Sequence, residues 1–570
     1  MPADTPPPPP RPLPAQLTAL RADLRRGDYT VERTETLLGE LAVAALRREN
    51  PLPARRALAG SDDPAAILYR VFTLGAALPA SQVEAALPNL RVAGALELGI
   101  VQTVPDLTPD GEQLVRATID LSPYSAQDDL GEIHWWIASD LSELATGHAL
   151  HPEHVLGVGG ASLTLATLTP RDPVESVLDL GCGSGIQALH ASRHATRIVA
   201  TDLSARALAF ARFTTALNGV QIELRQGSLW EPVAREQFDL IISNPPFVIT
   251  PRSTGEAQGS WTYRDGGRAG DALLAELLGG LPAHLAPGGR AVMLANWEIP
   301  TGAAWDEHPR TWLRPAAEQG VDAWVIQRES EDPAQYAETW ARDGGVTARD
   351  PQWEHLLQAW LDDFALRDVE RIGFGYVLAR RPTAPAPDAA TSNATAPDDP
   401  AHVAAAARPG RLRTEQVSGS GSGTLSAHLT RALTMIDALA ELDDDALAAS
   451  RPVRAADVVE RRHLSPGQYD PMLIELVQGA GFARAVPADQ VLAATVGALD
   501  GTLTLGQVLG AVCALTGDDP QEARERILPR IRDLLITGML DAGAGLETGD
   551  AGPELDAGAE RDPGQEVDHG

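Results

Sequence analysis

The run Val177-Leu-Asp-Leu-Gly-Cys-Gly-Ser-Gly185 constrains this chain more than any other, because it is an apolar stretch that stops at three glycines and passes straight into a helical pattern near Ile186. Such a stretch reads as a buried strand, and glycines at its carboxyl end let a ligand approach the backbone at the edge of a sheet. The expected fold is a doubly wound α/β sheet. A dinucleotide site is the rival reading, and it fails on detail. That fingerprint wants Gly or Ala three residues after Gly183, where Ile186 stands, and the carboxylate of Asp179 would repel a pyrophosphate.

Six further strand candidates follow the same pattern: Arg197 to Thr201, Gln221 to Arg225, Phe238 to Ser243, Arg290 to Ala295, Ala323 to Arg328 and Phe374 to Ala379, with a helix over Asp350 to Arg367 before the last. With Ser176 to Leu180 they make a seven-stranded sheet. A ligand with a cationic amino-acid end suits an acid at Asp179, and S-adenosyl-L-methionine carries both an ammonium and a sulfonium. The expected pocket is Asp179, Gly181, Cys182, Gly183 and Gly185, then Asp202 and Leu203 after the second strand, where a carboxylate can accept both ribose hydroxyls. Ser228 and Leu229 after the third strand are assigned to the adenine side. Cys182 reads as a small packing residue rather than a nucleophile, since direct transfer needs none and no paired His is evident.

The fourth strand ends in Ser243-Asn244-Pro245-Pro246-Phe247. Two prolines fix the backbone, so the Asn244 side-chain oxygen and the Pro245 carbonyl can point into one small volume as a pair of acceptors for an NH2 group. Phe247 offers a face on which a planar group can stack. Asn244, Pro245, Pro246 and Phe247 are therefore the expected catalytic set, with Asn244 also bordering the cofactor.

These residues, together with Pro287-Gly-Gly289, resemble class I S-adenosylmethionine-dependent methyltransferases with an NPP[FY] motif, especially the release-factor glutamine methyltransferases. Coverage is roughly residues 150 to 380. The resemblance implies a seven-stranded sheet with an antiparallel last strand, and nitrogen as the acceptor atom. Tyr263-Arg-Asp-Gly-Gly267 is similar to a segment of the glutamine enzymes, which points to a protein substrate such as a release factor. The same motif occurs in ribosomal-RNA guanine and DNA adenine amino-methyltransferases, so an exocyclic amino group in RNA or DNA is the alternative.

Charge narrows the partners. There are 46 basic against 78 acidic residues, a net of −32, and every basic residue is Arg. A strongly negative average field weighs against a generic polyanion or anionic-membrane binder, though not against a local basic groove. The missing Lys excludes Schiff-base chemistry and a Walker lysine. Two cysteines and no long apolar run suit a reducing, cytoplasmic setting. His148, His151 and His154 recur every three residues, yet no Cys partners them and the chemistry needs no metal, so none is expected. The loop His154 to Ser162, rich in glycine, suits a lid over the cofactor.

Outside the core, 1–14 is Pro-rich and expected to be disordered. Residues 15–124 read as a helical or winged-helix-like domain, with a capping box at Ser81-x-x-Glu84 and a strand over Leu114 to Leu121. The methyltransferase domain is expected over 125–381. The stretch 382–424, ending in Ser418-Gly-Ser-Gly-Ser-Gly423, reads as a flexible linker. A helical, winged-helix-like domain over 425–542 follows, with Leu534 to Leu540 as third helix and first wing, and then an acidic tail over 543–570.

Overall fold

The computed structural model describes residues 6–147, 150–151, 153–246, 248–251, 270–383, 409–440, 442–544 and 546. The chain forms two compact units, Met1–Ser418 and Gly419–Gly570.

In the first unit a large sheet contains the strands β1 (Val174–Leu180), β2 (Ala195–Asp202), β3 (Glu223–Gln226), β4 (Phe238–Ser243), β5 (Leu285–Pro300), β6 (Asp322–Glu331), β7 (Val369–Arg380) and β8 (Leu412–Gln416). Their spatial order is β8-β6-β7-β5-β4-β1-β2-β3. β3, β2, β1, β4 and β5 pair in parallel, while β7 runs antiparallel to both β5 and β6. All seven expected strands are present. Among the described residues the sheet has eight, because β8 adds in parallel to β6.

This eighth strand corrects the linker reading. Residues 409–418 belong to the first unit, and the Val417 carbonyl oxygen of the same stretch accepts from Arg328 Nη1 at 2.9 Å. The Ser-Gly run beyond it is held too: within the second unit Gly421 N donates to Gly481 O and Ser422 N to Gly479 O, both at 2.9 Å. A Cβ on Gly419 would stand 2.5 Å from Phe482 O, and one on Gly421 2.5 Å from the Ala480 carbonyl carbon. These glycines serve close backbone approach, a use that composition cannot tell from flexibility. Residues 384–408 lie outside the described residues.

The N-terminal segment is not a separate domain ending at 124. Helices such as Pro14–Arg26 and Pro64–Phe72, the latter capped by Asp63, lead to a three-stranded sheet of Leu78–Pro79, Gln113–Ala117 and Val101–Leu107, in that order. The predicted strand over Leu114 to Leu121 is two strands: after Ala117 the chain turns into the hairpin Asp120–Asp128/Gly131–Ser139. Ser81 caps nothing, since the helix Ala80–Ala86 starts after Pro79 with no side-chain cap.

One hydrophobic core joins Leu20, Leu24 and Phe72 of this segment to Phe210, Phe213 and Leu217 of the helix Ala205–Leu217. Arg21 donates to Leu217 O (2.7 Å) and Ala216 O (2.9 Å), satisfying carbonyls at that helix's end. The proline-rich start is packed as well. Pro10 is buried, Pro7 O accepts from Arg206 Nη1 at 2.7 Å, and Arg11 N donates to Leu98 O at 2.8 Å. A proline run lacks donors of its own, but its carbonyls remain good acceptors.

The second unit holds a three-stranded antiparallel sheet, Val458–His463, Leu473–Gln478 and Ala485–Ala488, before the helices Gln490–Ala498, Leu505–Thr516 and Pro520–Ile536. The expected wing is corrected in its pairing. The last helix runs to Ile536, and Leu540–Asp541 pairs with the earlier Val453–Arg454. Residues 547–570 lie outside the described residues. No helix among the described residues is long and apolar enough to cross a membrane.

Candidate functional site

β1 and β4 lie side by side in register, Leu180 opposite Ser243, so the glycine turn and the Asn-Pro-Pro segment leave neighbouring strands at the same edge. Ser243 Oγ donates to Leu180 O at 2.7 Å and locks the two strand ends together. A Cβ on Gly181 would stand 3.9 Å from Asn244 O.

The turn itself demands glycine. Gly181, Gly183 and Gly185 have φ of 78°, 52° and 87°, the left-handed region in which other residues are strained. At Gly185 a Cβ would also meet the Cβ of Ala211 at 3.2 Å and its Cα at 3.3 Å, so the turn rests directly on the helix that follows β2. The N–H groups of Gly181 and Cys182 both donate to Thr201 O at 2.9 Å, tying the turn to β2.

Two carboxylates flank it. Asp179 is 1% exposed and its Oδ2 accepts from Ala188 N at 2.9 Å, inside the helix Ile186–Ala191. Burial raises its pKa to about 7, with the Ala188 N–H pulling the other way and Asp202 adding to the rise. Asp179 thus braces the turn from beneath. Asp202 is half-buried and splits its oxygens, Oδ2 accepting from Gly183 N at 3.0 Å and Oδ1 from Ser204 N at 2.8 Å. Burial raises its pKa as well, against these donors and that of Leu203. Cys182 is buried, and burial together with the two acids pushes its thiol well up, as a packing residue requires.

On the β3 side, Leu203 is 45% exposed and its carbonyl accepts from Gln226 Nε2 at 3.1 Å. Ser228 N donates to Glu231 Oε2 at 3.2 Å, and Leu229, at φ 45°, packs against the sheet core. Glu231 is a carboxylate that sequence reasoning did not single out, although it lies three residues after Ser228.

Asn244 Oδ1 is buried and accepts no hydrogen bond from any described residue. An orphaned buried acceptor is costly, of order 1–3 kcal/mol, and points to a donor that arrives with a ligand. Phe247 and the segment Tyr263 to Gly267 lie outside the described residues. Just past the motif, Ile249 N donates to the Tyr336 hydroxyl at 2.9 Å and Ile249 O accepts from Trp360 Nε1 at 2.7 Å. Asn296 Nδ2 on β5 donates to the same hydroxyl at 3.2 Å. Tyr336 and Trp360 belong to the helices Pro333–Asp343 and Trp353–Leu366, inserted between β6 and β7, and no motif marked them. The end of the expected glycine-rich loop, from Gly160, is the start of the helix Gly160–Leu168, and this helix meets the site through Gln187 Nε2, which donates to Ser162 O at 2.8 Å.

Residues 157–258 match the family described as Methyltransferase small domain, and residues 26–111 match a domain of unknown function, DUF7059. The chain is 35% identical over 150 residues to the ribosomal RNA small subunit methyltransferase C of Escherichia coli, in strains O1:K1 / APEC and K12 / DH10B alike. That match covers 26% of this chain and 38% of the relative, so the chain spans under two fifths of the length of the curated relatives it matches. Among solved structures, the T. thermophilus 16S rRNA N2 methyltransferase in complex with AdoMet and guanosine is similar at 18% identity, with a TM-score of 0.22, over 44% of this chain and 62% of that one. A methyltransferase from Pyrococcus furiosus is similar at 17% identity and a TM-score of 0.24, over 39% of this chain and 82% of that one.

The glycine turn at the carboxyl end of β1, in a sheet of parallel strands with β7 antiparallel, and the family match over residues 157–258 define this part of the chain as a class I methyltransferase domain. Within that class, the segment holding the turn and the Asn-Pro-Pro motif matches the small-domain methyltransferases. The residues present fit the cofactor: left-handed glycines leave the turn's backbone open, and Asp202 sets a carboxylate at the adjoining strand end.

Proposed function

We propose that this enzyme methylates an exocyclic amino nitrogen of a nucleobase in RNA, with ribosomal RNA the favoured target. The observation that carries the choice of nitrogen is the buried Oδ1 of Asn244, which accepts from no described residue and so suits an incoming N–H donor. RNA is favoured over a release-factor glutamine by the 35% identity to ribosomal RNA methyltransferases. The glutamine reading leaned on Tyr263 to Gly267, outside the described residues. The net charge of −32 tilts against bulk polyanion binding, so the approach of RNA has to be local.

Bound S-adenosylmethionine supplies an electrophilic methyl group on a sulfonium sulfur. The chain's own residues then act by position. Asp202 holds the ribose end while its hydrogen bonds from Gly183 and Ser204 keep the carboxylate oriented. Leu203 and Leu229 flank the adenine side, and Asp179 stiffens the turn. Asn244 Oδ1 and the Pro245 carbonyl accept the two N–H groups of the substrate amine, which turns the nitrogen lone pair out of the base plane and toward the methyl. Pro246 keeps that pair of acceptors rigid, and Phe247 offers the stacking face. The held nitrogen would take that methyl as the carbon–sulfur bond breaks, the cofactor leaving as its neutral thioether, and the surplus proton on nitrogen would pass to water.

Methyl-labelled cofactor incubated with lysate tests the target: label should be released by nuclease and survive protease. Label lost only with protease would return the glutamine reading. Asn244→Ala should lower turnover by roughly 10²-fold or more while cofactor binding persists, and full activity would overturn the orienting role.

A further inference from the structure

A cavity of about 930 Å³ opens in the first unit, away from the glycine turn and the Asn-Pro-Pro motif, none of whose residues lines it. Its walls come from the turn after the helix Val31–Leu46 (Glu49), the hairpin (Asp120, Ser122), the short helix Glu143–Thr146 (Glu143), the segment before the helix Gly160–Leu168 (His154) and the end of the helix Pro333–Asp343 (Arg342). The volume is that of a small-molecule site.

Its lining has one electrostatic sense. Arg342 is engaged elsewhere, paired with Glu338 at 2.7 Å and stacked over Trp353, and Asp140 is taken by Arg206 at 2.8 Å. Burial first, then repulsion from Glu49 and Asp350, raises the Glu143 pKa, and burial raises that of Asp120 to about 7 against the Ser122 hydrogen bond. His154 is 8% exposed, and its imidazole takes no hydrogen bond from the described residues. Burial lowers its pKa, so the ring is neutral at pH 7 and offers an acceptor. The same cavity has an apolar side, where Leu156 (49% exposed) and Leu163 (44% exposed) stand uncovered.

Among the described residues Glu49 and Glu143 have no cation paired to them, and Asp120 accepts only from the Ser122 hydroxyl, at 2.6 Å; these carboxylates and the His154 imidazole call for N–H donors with positive charge, and the uncovered leucines for hydrocarbon between those donors. Phosphate is repelled by such a lining, and a hydrated divalent cation would leave the leucines bare. We propose that this cavity binds an aliphatic polyamine, its ammonium groups received by Glu49, Asp120 and Glu143 and its methylenes laid along Leu156 and Leu163. The site does not depend on which nucleobase or protein is methylated. It is linked to the glycine turn only indirectly, because the helix Gly160–Leu168, which carries Leu163, accepts at Ser162 O from Gln187 Nε2 in the helix after that turn.

Calorimetric titration of spermine into the full chain tests this. The expected result is saturable binding, weakened at least tenfold by Glu143→Gln and severalfold by Leu156→Ala, with Mg²⁺ at matched ionic strength failing to displace the ligand. Absence of saturable binding, equal affinity in both variants, or full displacement by Mg²⁺ would overturn the proposal. Tighter binding of a tri-lysine peptide than of spermine would overturn it in favour of side chains from a partner protein. Should Glu143→Gln shift the thermal midpoint, Glu49→Gln carries the same expectation at an exposed position.

Discussion

The backbone N–H of Ile249 donates to the hydroxyl of Tyr336 at 2.9 Å, joining the chain just after the Asn-Pro-Pro motif to a fully buried tyrosine 87 residues further on. With Trp360 Nε1 on the Ile249 carbonyl, both polar groups of one residue's backbone are taken by side chains from the helices between β6 and β7. Two fixed points follow: Asn244 is held from the β1 side through Ser243, and Ile249 from the inserted helices.

Tyr336→Phe removes an acceptor from Ile249 N and from Asn296 Nδ2. Leaving buried donors unpaired costs about 1–3 kcal/mol, read as a lower denaturation midpoint. Turnover should fall roughly tenfold as the motif loosens, while the cofactor dissociation constant stays within about twofold. A parallel loss of cofactor affinity would place the residue's role elsewhere.

Asp202→Ala takes the acceptor from Gly183 N and Ser204 N at once. Charge-assisted hydrogen bonds of this kind contribute about 1.5–3 kcal/mol each. Cofactor affinity measured by calorimetry should drop by one to two orders of magnitude, on the order expected for one such bond. An unchanged dissociation constant would remove Asp202 from the pocket.

Asp179 makes stability depend on pH with a definite sign. Its folded pKa, about 7, lies above the ordinary carboxylate value, so the folded state binds the extra proton between about pH 4 and 7. Its contribution is therefore complete in acid and lost as pH rises through 7, with a slope of up to about 1.4 kcal/mol per pH unit for the one proton. Asp179→Asn should flatten urea-denaturation stability between pH 5 and 7.5. Asp120, also raised to about 7, keeps a residual slope of the same sign. An identical pH profile in the variant would show that Asp179 ionises normally.

Gly185→Ala meets two obstacles, a φ of 87° and Ala211 at 3.2 Å. The backbone strain alone is about 1–3 kcal/mol, and the turn would have to lift from the helix Ala205–Leu217. Weaker cofactor binding together with a lower melting temperature is expected; Ala211→Gly in the same chain should recover part of the packing loss but not the strain.

The strands and the cofactor turn were legible because their signals are local. A buried strand shows as an apolar run, and a left-handed turn shows as glycine at Gly181, Gly183 and Gly185. The proline pair around Pro245 marks a rigid corner in the same way. Glycine at 419 and 421 carried the same letter with a different cause, close approach to the 479–483 backbone, and so misled. Pro7 and Pro10 misled likewise, since proline's poor secondary-structure propensity says nothing of whether its carbonyl finds Arg206.

What the sequence alone determined is the α/β sheet and the glycine turn at the end of its first strand; it also marked Asp202, Asn244 and Pro245 as the residues on which the proposed nitrogen chemistry rests. Tertiary structure decided everything that depends on residues far apart in the chain meeting. It brought Tyr336 and Trp360 to Ile249, added Leu412–Gln416 as an eighth strand, and fused the N-terminal helices to the helix after Asp202 through one core. The physical reason is that local propensity acts over a turn or a strand. Hydrogen bonds and packing across 80 to 200 residues are specified only once the chain has closed on itself.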